Sequence, residues 1–375
     1  MPTNSGRFTS NSGNLNSKIM DRPRDLNATF QLLSELLYRP DVARVDMIRG
    51  TKDLEALTLL ATKNHVILRA FAPLRQRFEA DGDADAAQWV RNAVKQEEDR
   101  IRHAIPRLEE ICTVLDEGGC RAIVMKSLDH WPDLGSDLDL FIDADPAAVL
   151  GIMKSRFKAE LAPRSWGDRL AGKWNFVVPG LPELVEIHIG RLGQTGEQTA
   201  LSRSLSRRAS VEPVGGVSFR VPAPEDRVVV STLQRMYRHF YIRLCDIVDI
   251  ARLVESGAVD FDYLRSLGSA SGIWEGIAAY LKIISDYVAA YRGEGIPLPS
   301  FVSEAAEFGA EQIFYRRDFL RVPIVPHSLG LYASELKQLL LNRELGNSFR
   351  LTLLPCLATA AAIELKITGS DKGIW

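Results

Sequence analysis

Acidic residues carry the clearest chemical signal in this chain. Segment 134–142 reads Leu-Gly-Ser-Asp-Leu-Asp-Leu-Phe-Ile, an apolar run with turn residues before it, as in a buried strand. Strand alternation points the Asp137 and Asp139 carboxylates to one face and Leu138 and Leu140 to the other. Two like charges so close are unfavourable away from water unless a cation neutralises them. Hard oxygen donors favour Mg²⁺ or Mn²⁺ over zinc. The alternative is a half-exposed edge strand with two solvated aspartates, since Asp-x-Asp is common by chance. The surroundings favour the metal reading. Gly135 and Ser136 offer a tight turn and a hydroxyl, and Lys126-Ser127 ends the apolar run 122–125, where a lysine can reach a polyphosphate.

A third acid completes the set. Segment 184–189, Leu-Val-Glu-Ile-His-Ile, alternates as a strand, with Leu184, Glu186 and His188 on one face. If this strand lies beside the first, Glu186 becomes a third metal ligand or a general base. Three carboxylates holding two divalent ions about 3.5–4 Å apart is a layout for in-line phosphoryl displacement. His188 could orient Glu186 or an acceptor, or could equally be a satisfied core histidine.

The Lys126-Ser127, Ser-Asp-Leu-Asp-Leu (136–140) and Val-Glu-Ile-His (185–188) segments together resemble the uncharacterised bacterial nucleotidyltransferase family of the DNA polymerase β-like superfamily. That family has a Leu-Lys-Gly element, then Ser-Asp-hydrophobic-Asp, then an acid-hydrophobic-His-Trp strand. The resemblance extends to segments 59–66 and 243–253, and so covers most of residues 26–300. This chain has Ser127 for the family's Gly and Ile189 for its Trp, and it lacks the arginine usual before Ser-Asp.

The resemblance implies an α+β fold, a small mixed-sheet nucleotidyltransferase core flanked by N-terminal and C-terminal helical units. It implies transfer of an NMP from an NTP, ATP the expected one, to an acceptor with release of pyrophosphate. Asp137, Asp139 and Glu186 would then be the catalytic and metal residues. Lys126, Ser127, Gly135, Ser136 and Arg243 would bind the nucleotide, with His188, Arg191 and His239 at the acceptor or around the site.

The elements that must position these residues follow in order. Residues 1–24, rich in Ser, Asn and Gly, read as a tail. Residues 25–118 read as a helical unit, including a helical stretch over 54–78. A long helix over 86–116 follows, with a possible kink at Pro106 and a stop at Gly118-Gly119. His65 and His103 fall in these helices as packed or surface residues. The mixed core is expected over 119–222, with a helix opening at Asp145-Pro146 and a hairpin of 174–179 with 184–189. Lys173 and Arg191 could reach phosphate from these strands, although each singly reads better as a solvated surface charge. Residues 223–375 read as helical. Leu233, Met236, Tyr237, Phe240, Leu244, Ile247, Val248 and Ala251 form one apolar stripe at helical spacing, with Arg235, Arg238, His239, Asp246 and Asp249 opposite. A core helix is expected over 351–363, and 304–367 as a whole is read as helical.

With 375 residues the chain can bury a large core, and its composition (46% hydrophobic, 25% charged) is that of a globular protein. A net charge of −2 favours a small molecule, peptide or protein as acceptor over a long nucleic acid. Four cysteines without paired spacing read as reduced thiols in the cytoplasm, and no membrane role is expected. Two other functions compete: a toxin-like nucleotidyltransferase acting on tRNA, and a degenerate, non-catalytic nucleotide-binding module.

Overall fold

The computed structural model describes residues 26–357, 359, 360 and 363. The expected tail over residues 1–24 lies outside them, as does part of segment 351–363.

Four helices come first: α1 (Ala28–Tyr38), α2 (Thr51–Lys63), α3 (Ile67–Asp81) and α4 (Ala84–Glu117). The helical stretch read over 54–78 is therefore two helices. His65 breaks it with a positive φ of 52°, and the side chain of Asn64 binds Leu60 O and Leu244 N. α4 runs through Pro106 as one helix.

Then come β1 (Ala122–Met125), β2 (Asp137–Ile142), α5 (Pro146–Phe157), β3 (Glu160–Leu161), α6 (Trp166–Ala171), β4 (Lys173–Val177) and β5 (Leu184–Ile189). The strands form one mixed sheet in the order β1-β2-β5-β4-β3, with β2 and β5 parallel and the other neighbours antiparallel. The expected hairpin is β4–β5. Leu138, Leu140, Val185 and Ile187 pack with α4 and α5 residues such as Leu108 and Met153, so this face of β2 and β5 must be apolar. α7 (Thr199–Arg208) and a ribbon of β6 (Ser210–Val214) and β7 (Val217–Val221) close this part.

The remainder comprises α8 (Pro224–Thr232), a π-helical turn (Leu233–His239), β8 (Tyr241–Ile242), α9 (Leu244–Glu255), α10 (Phe261–Ser271), α11 (Trp274–Arg292) and α12 (Ser300–Ala305). They are followed by β9 (Phe314–Arg316), β10 (Phe319–Arg321), α13 (Leu329–Leu341) and α14 (Leu345–Thr352).

Two expectations fail here. The stripe from Leu233 to Ala251 is not one helix, because Phe240 takes a left-handed φ of 53° and β8 separates the π turn from α9. Region 304–367 is not all helical, because β9 and β10 form a hairpin whose β10 also pairs with β8. In both places pairing with a distant segment outweighs local helical spacing. In segment 351–363, Leu351 and Leu354 are buried, whereas Ile363 is exposed.

The first and last helical regions share one apolar core. Phe30, Leu33, Phe71 and Leu74 pack in the same cluster as Ile277, Tyr280, Ile284 and Tyr287. Ser34 Oγ and Tyr287 Oη are hydrogen-bonded at 2.6 Å inside it. The architecture is thus α+β, a mixed sheet with helical flanks. Among the described residues no helix is long and apolar enough to cross a membrane, and the four cysteines are free thiols.

Candidate functional site

The site begins with strand register. Parallel pairing of β2 with β5 sets Asp139 directly opposite Glu186, and antiparallel pairing of β1 sets Met125 opposite Asp139. Alternation then brings the Asp137, Asp139, Glu186 and His188 side chains to one face of adjacent strands, lining one cavity of about 210 Å³. Arg100 on α4 holds the approach to β2, donating to Leu134 O at 2.9 Å and Gly135 O at 3.1 Å.

The acids do not stand alone. Lys126 follows β1 in a left-handed turn (φ 52°), with Nζ 2.6 Å from Asp139 Oδ1 and 3.8 Å from Glu186 Oε1. Lys173 at the start of β4 places Nζ 2.5 Å from Glu186 Oε2. It is only 13% exposed, so the expectation of a solvated surface charge is wrong. The cause is the β4–β5 register, which pairs Lys173 with His188. His188 donates from Nε2 to Glu186 Oε1 at 2.8 Å, and its buried Nδ1 has no partner among the described residues.

These contacts set the protonation states. Burial, aided by nearby Glu186 and opposed by Lys126, pushes the Asp139 carboxyl up to about 7. Burial also opposes ionisation of Glu186, but Lys126, Lys173 and His188 outweigh it and hold the carboxyl well below its usual range. Burial lowers His188 to about 4 against the pull of Glu186, so the ring is neutral at pH 7. Asp137 is raised by burial and by Glu186.

Asp139, Glu186 and His188 each offer a ligand atom, all within 4.8 Å of one another. Asp137 lines the same cavity outside this group. The donor set of carboxylate oxygens with one neutral imidazole suits a divalent cation. The orphaned Nδ1 of His188 leaves a donor atom for such an ion, while the ammonium groups of Lys126 and Lys173 neutralise the acids in its place.

Of the remaining expected residues, Lys126, Gly135, Ser136, His239 and Arg243 line the cavity. Ser127 also borders it, but its hydroxyl is spent on β2: it accepts from Asp139 N at 2.8 Å and donates to Asp137 O at 2.9 Å. That hydroxyl, expected to hold phosphate, is thus committed to aligning β2 in this structure. Arg191 is not a lining residue, because its guanidinium donates to Gly196 O at 3.1 Å. Arg243 donates from Nη1 to His65 Nε2 at 2.9 Å. Arg235, Arg238 and Tyr241 complete the basic wall, with Arg235 buried against Asp246 at 2.7 Å. Burial and the arginines Arg238 and Arg235 keep His239 well below the usual histidine range.

Sequence reasoning missed the network behind this wall. His130 donates from Nδ1 to Asp249 Oδ2 at 2.5 Å. Arg69 binds both Asp249 (2.5 Å) and Asp133 (2.9 Å), and Asp133 accepts from Leu68 N at 2.7 Å. The ring of His130 stacks on His65, with centroids 5.6 Å apart, which extends the chain of contacts to Arg243. The only signal was the Asp-His-Trp-Pro run at 129–132, which has no periodicity and reads as an ordinary loop.

Burial disfavours a charged His130, but the facing Cys245 sulfur and Asp249 carboxylate raise its pKa well above the usual value. A raised folded-state pKa adds stability below the unfolded value of about 6.5, and that stability is lost as pH rises through the folded value. The urea midpoint should therefore fall as the pH is raised above about 6.5. In His130→Asn it should fall less over the same range. Parallel declines in the two proteins would remove His130 as the cause.

Comparison with protein-family models, with curated proteins and with solved structures found no match.

Proposed function

We propose that this chain is a nucleotidyltransferase, moving an NMP from an NTP, ATP the expected donor, to a hydroxyl or similar group of a small molecule, peptide or protein. One observation carries the reading. Asp139 and Glu186 face each other on adjacent strands, inside a cavity also lined by Asp137, Lys126, Lys173, Arg238 and Arg243. Carboxylates suited to a divalent cation beside a basic wall suited to a polyphosphate are the two halves such a transfer requires.

Asp137, Asp139 and Glu186, with His188 in reach, would hold Mg²⁺ or Mn²⁺. When bound, the cation offsets phosphate charge and lowers the cost of deprotonating the acceptor. Lys126 and Lys173, released from the carboxylates, turn to the phosphates with Arg238 and Arg243. With those lysines no longer holding its carboxyl down, Glu186, oriented by the Nε2–H of His188, takes the acceptor proton. The acceptor oxygen bonds to the α-phosphorus, and the bond to the β-phosphate oxygen breaks to release pyrophosphate.

A polynucleotide acceptor fits less well. Beside the cavity lies a groove lined by Lys63, Arg100 and Arg243. Two of these cations are already matched, Lys63 with Asp318 and Arg100 with Glu97 and Glu183, which leaves Arg243 as little free charge to track a phosphate backbone. The non-catalytic module draws support from the same ion pairs of Lys126 and Lys173 that neutralise the acids. Incubating the protein with each α-labelled NTP, Mg²⁺ and a cell extract separates these readings. Transfer of label to an acceptor, with pyrophosphate released and both abolished by a chelator, is expected. No label transferred from any of the four NTPs would leave only the binding module.

A further inference from the structure

The cavity of about 210 Å³ is smaller than the roughly 300–1,000 Å³ usual for small-molecule sites, so it suits a polyphosphate better than a whole nucleotide. A second, open groove of about 860 Å³ adjoins it, lined among others by Thr58, Ile67, Gln96, Pro182 and Phe319. Ser136 and Arg243 line both spaces. The divider is an aromatic stack. Tyr241 on the cavity side lies 4.5 Å from Phe319, centroid to centroid and 20° from parallel, and Phe319 lines the groove. The Arg243 guanidinium sits 5.6 Å from the Tyr241 ring and 5.7 Å from that of Phe319. Phe319 comes from the β9–β10 hairpin, held in place because β10 pairs with β8 at Leu320–Ile242 and Arg321–Tyr241.

We infer that Phe319 is the stacking platform for the donor's nucleobase: the triphosphate lies in the cavity, Arg243 spans the junction, and the nucleoside extends into the groove. This rests on the nucleotide-donor reading above. Every base has a π-face, so an aromatic ring backed by Tyr241 and flanked by guanidinium supplies base affinity without competing for phosphate. The groove's paired ions and its apolar Ile67, Pro182 and Phe319 suit a flat, uncharged ring better than further phosphate.

The test uses the full chain, with α,β-methylene-ATP (whose α–β bridge resists transfer) and inorganic tripolyphosphate as probes, titrated calorimetrically in Mg²⁺. Phe319→Leu keeps apolar bulk but not the ring. It should weaken α,β-methylene-ATP about tenfold and leave tripolyphosphate within twofold, and Phe319→Tyr should restore the nucleotide affinity. Unchanged nucleotide affinity in Phe319→Leu overturns the inference while leaving the donor reading intact. Equal weakening of both probes also overturns it, because the ring would then act only by supporting Arg243. If wild type binds neither probe, the donor reading itself fails.

Discussion

Asp139→Asn should reduce pyrophosphate release by about 10³-fold while leaving the chain folded. The substitution keeps side-chain size and removes an ionisable oxygen from a largely buried acid cluster, where electrostatic contributions are weakly screened. Loss of a single preorganised charge-stabilising group elsewhere typically costs about 10²–10³ in rate. The larger figure is expected here because Asp139 contacts Lys126 and lies directly opposite Glu186. The assay is release of labelled pyrophosphate from NTP in Mg²⁺, with the urea midpoint of both proteins as the check on folding. Lys126 keeps Glu186 within 3.8 Å, so its charge retains a partner in the variant. Equal release from wild type and variant would eliminate catalysis at this centre, and the non-catalytic module would be what remains.

Arg69→Ala should be the most destabilising single change, by about 3–5 kcal/mol, the usual cost of removing one partner from a buried ion pair. Its guanidinium is 4% exposed and binds Asp133, which is fully buried, and Asp249, which is 8% exposed. It also donates to His65 O at 2.9 Å. These contacts tie α3, the loop between β1 and β2, and α9 together. Without Arg69, Asp133 keeps only its backbone donors and Asp249 only His130. Urea unfolding provides the measurement. Arg69→Lys should recover part of the loss, since an ammonium can face one carboxylate but not bridge two. A loss below about 1 kcal/mol in Arg69→Ala would mean that water or His130 satisfies these acids without it. The same variant should also weaken the proposed transfer, because the network reaches Arg243 through His65 and His130.

Much of the chemical centre was legible because side-chain direction in a strand is a local property. The two-residue spacing of Asp137 and Asp139, and of Glu186 and His188, fixes which side chains share a face whatever the rest of the chain does. The turn chemistry at Asp145-Pro146 and the apolar run of β2 are local in the same way, and they become α5 and a buried strand. What the spacing left conditional, that Glu186 lies beside Asp139, is realised by parallel pairing of β2 with β5.

Other features had no local signature. Lys173 looks like any charged residue at a strand end until β4 pairs with β5 and carries its ammonium to Glu186. Ser127 looks like a phosphate ligand until β2 takes both hydrogen-bonding roles of its hydroxyl. His130 and Arg69 meet Asp249 across sequence separations of 119 and 180, and no window of sequence holds either pair. The apolar spacing from Leu233 to Ala251 satisfies a helix throughout. It is interrupted because strand pairing between β8 and the distant β10 competes for the same backbone. Residue type and alternation therefore determined which groups could act together on a face. Only the tertiary structure decided which charges neutralise them and which ring borders the cavity, because ion pairs and stacked rings form between segments that the chain's order does not bring together.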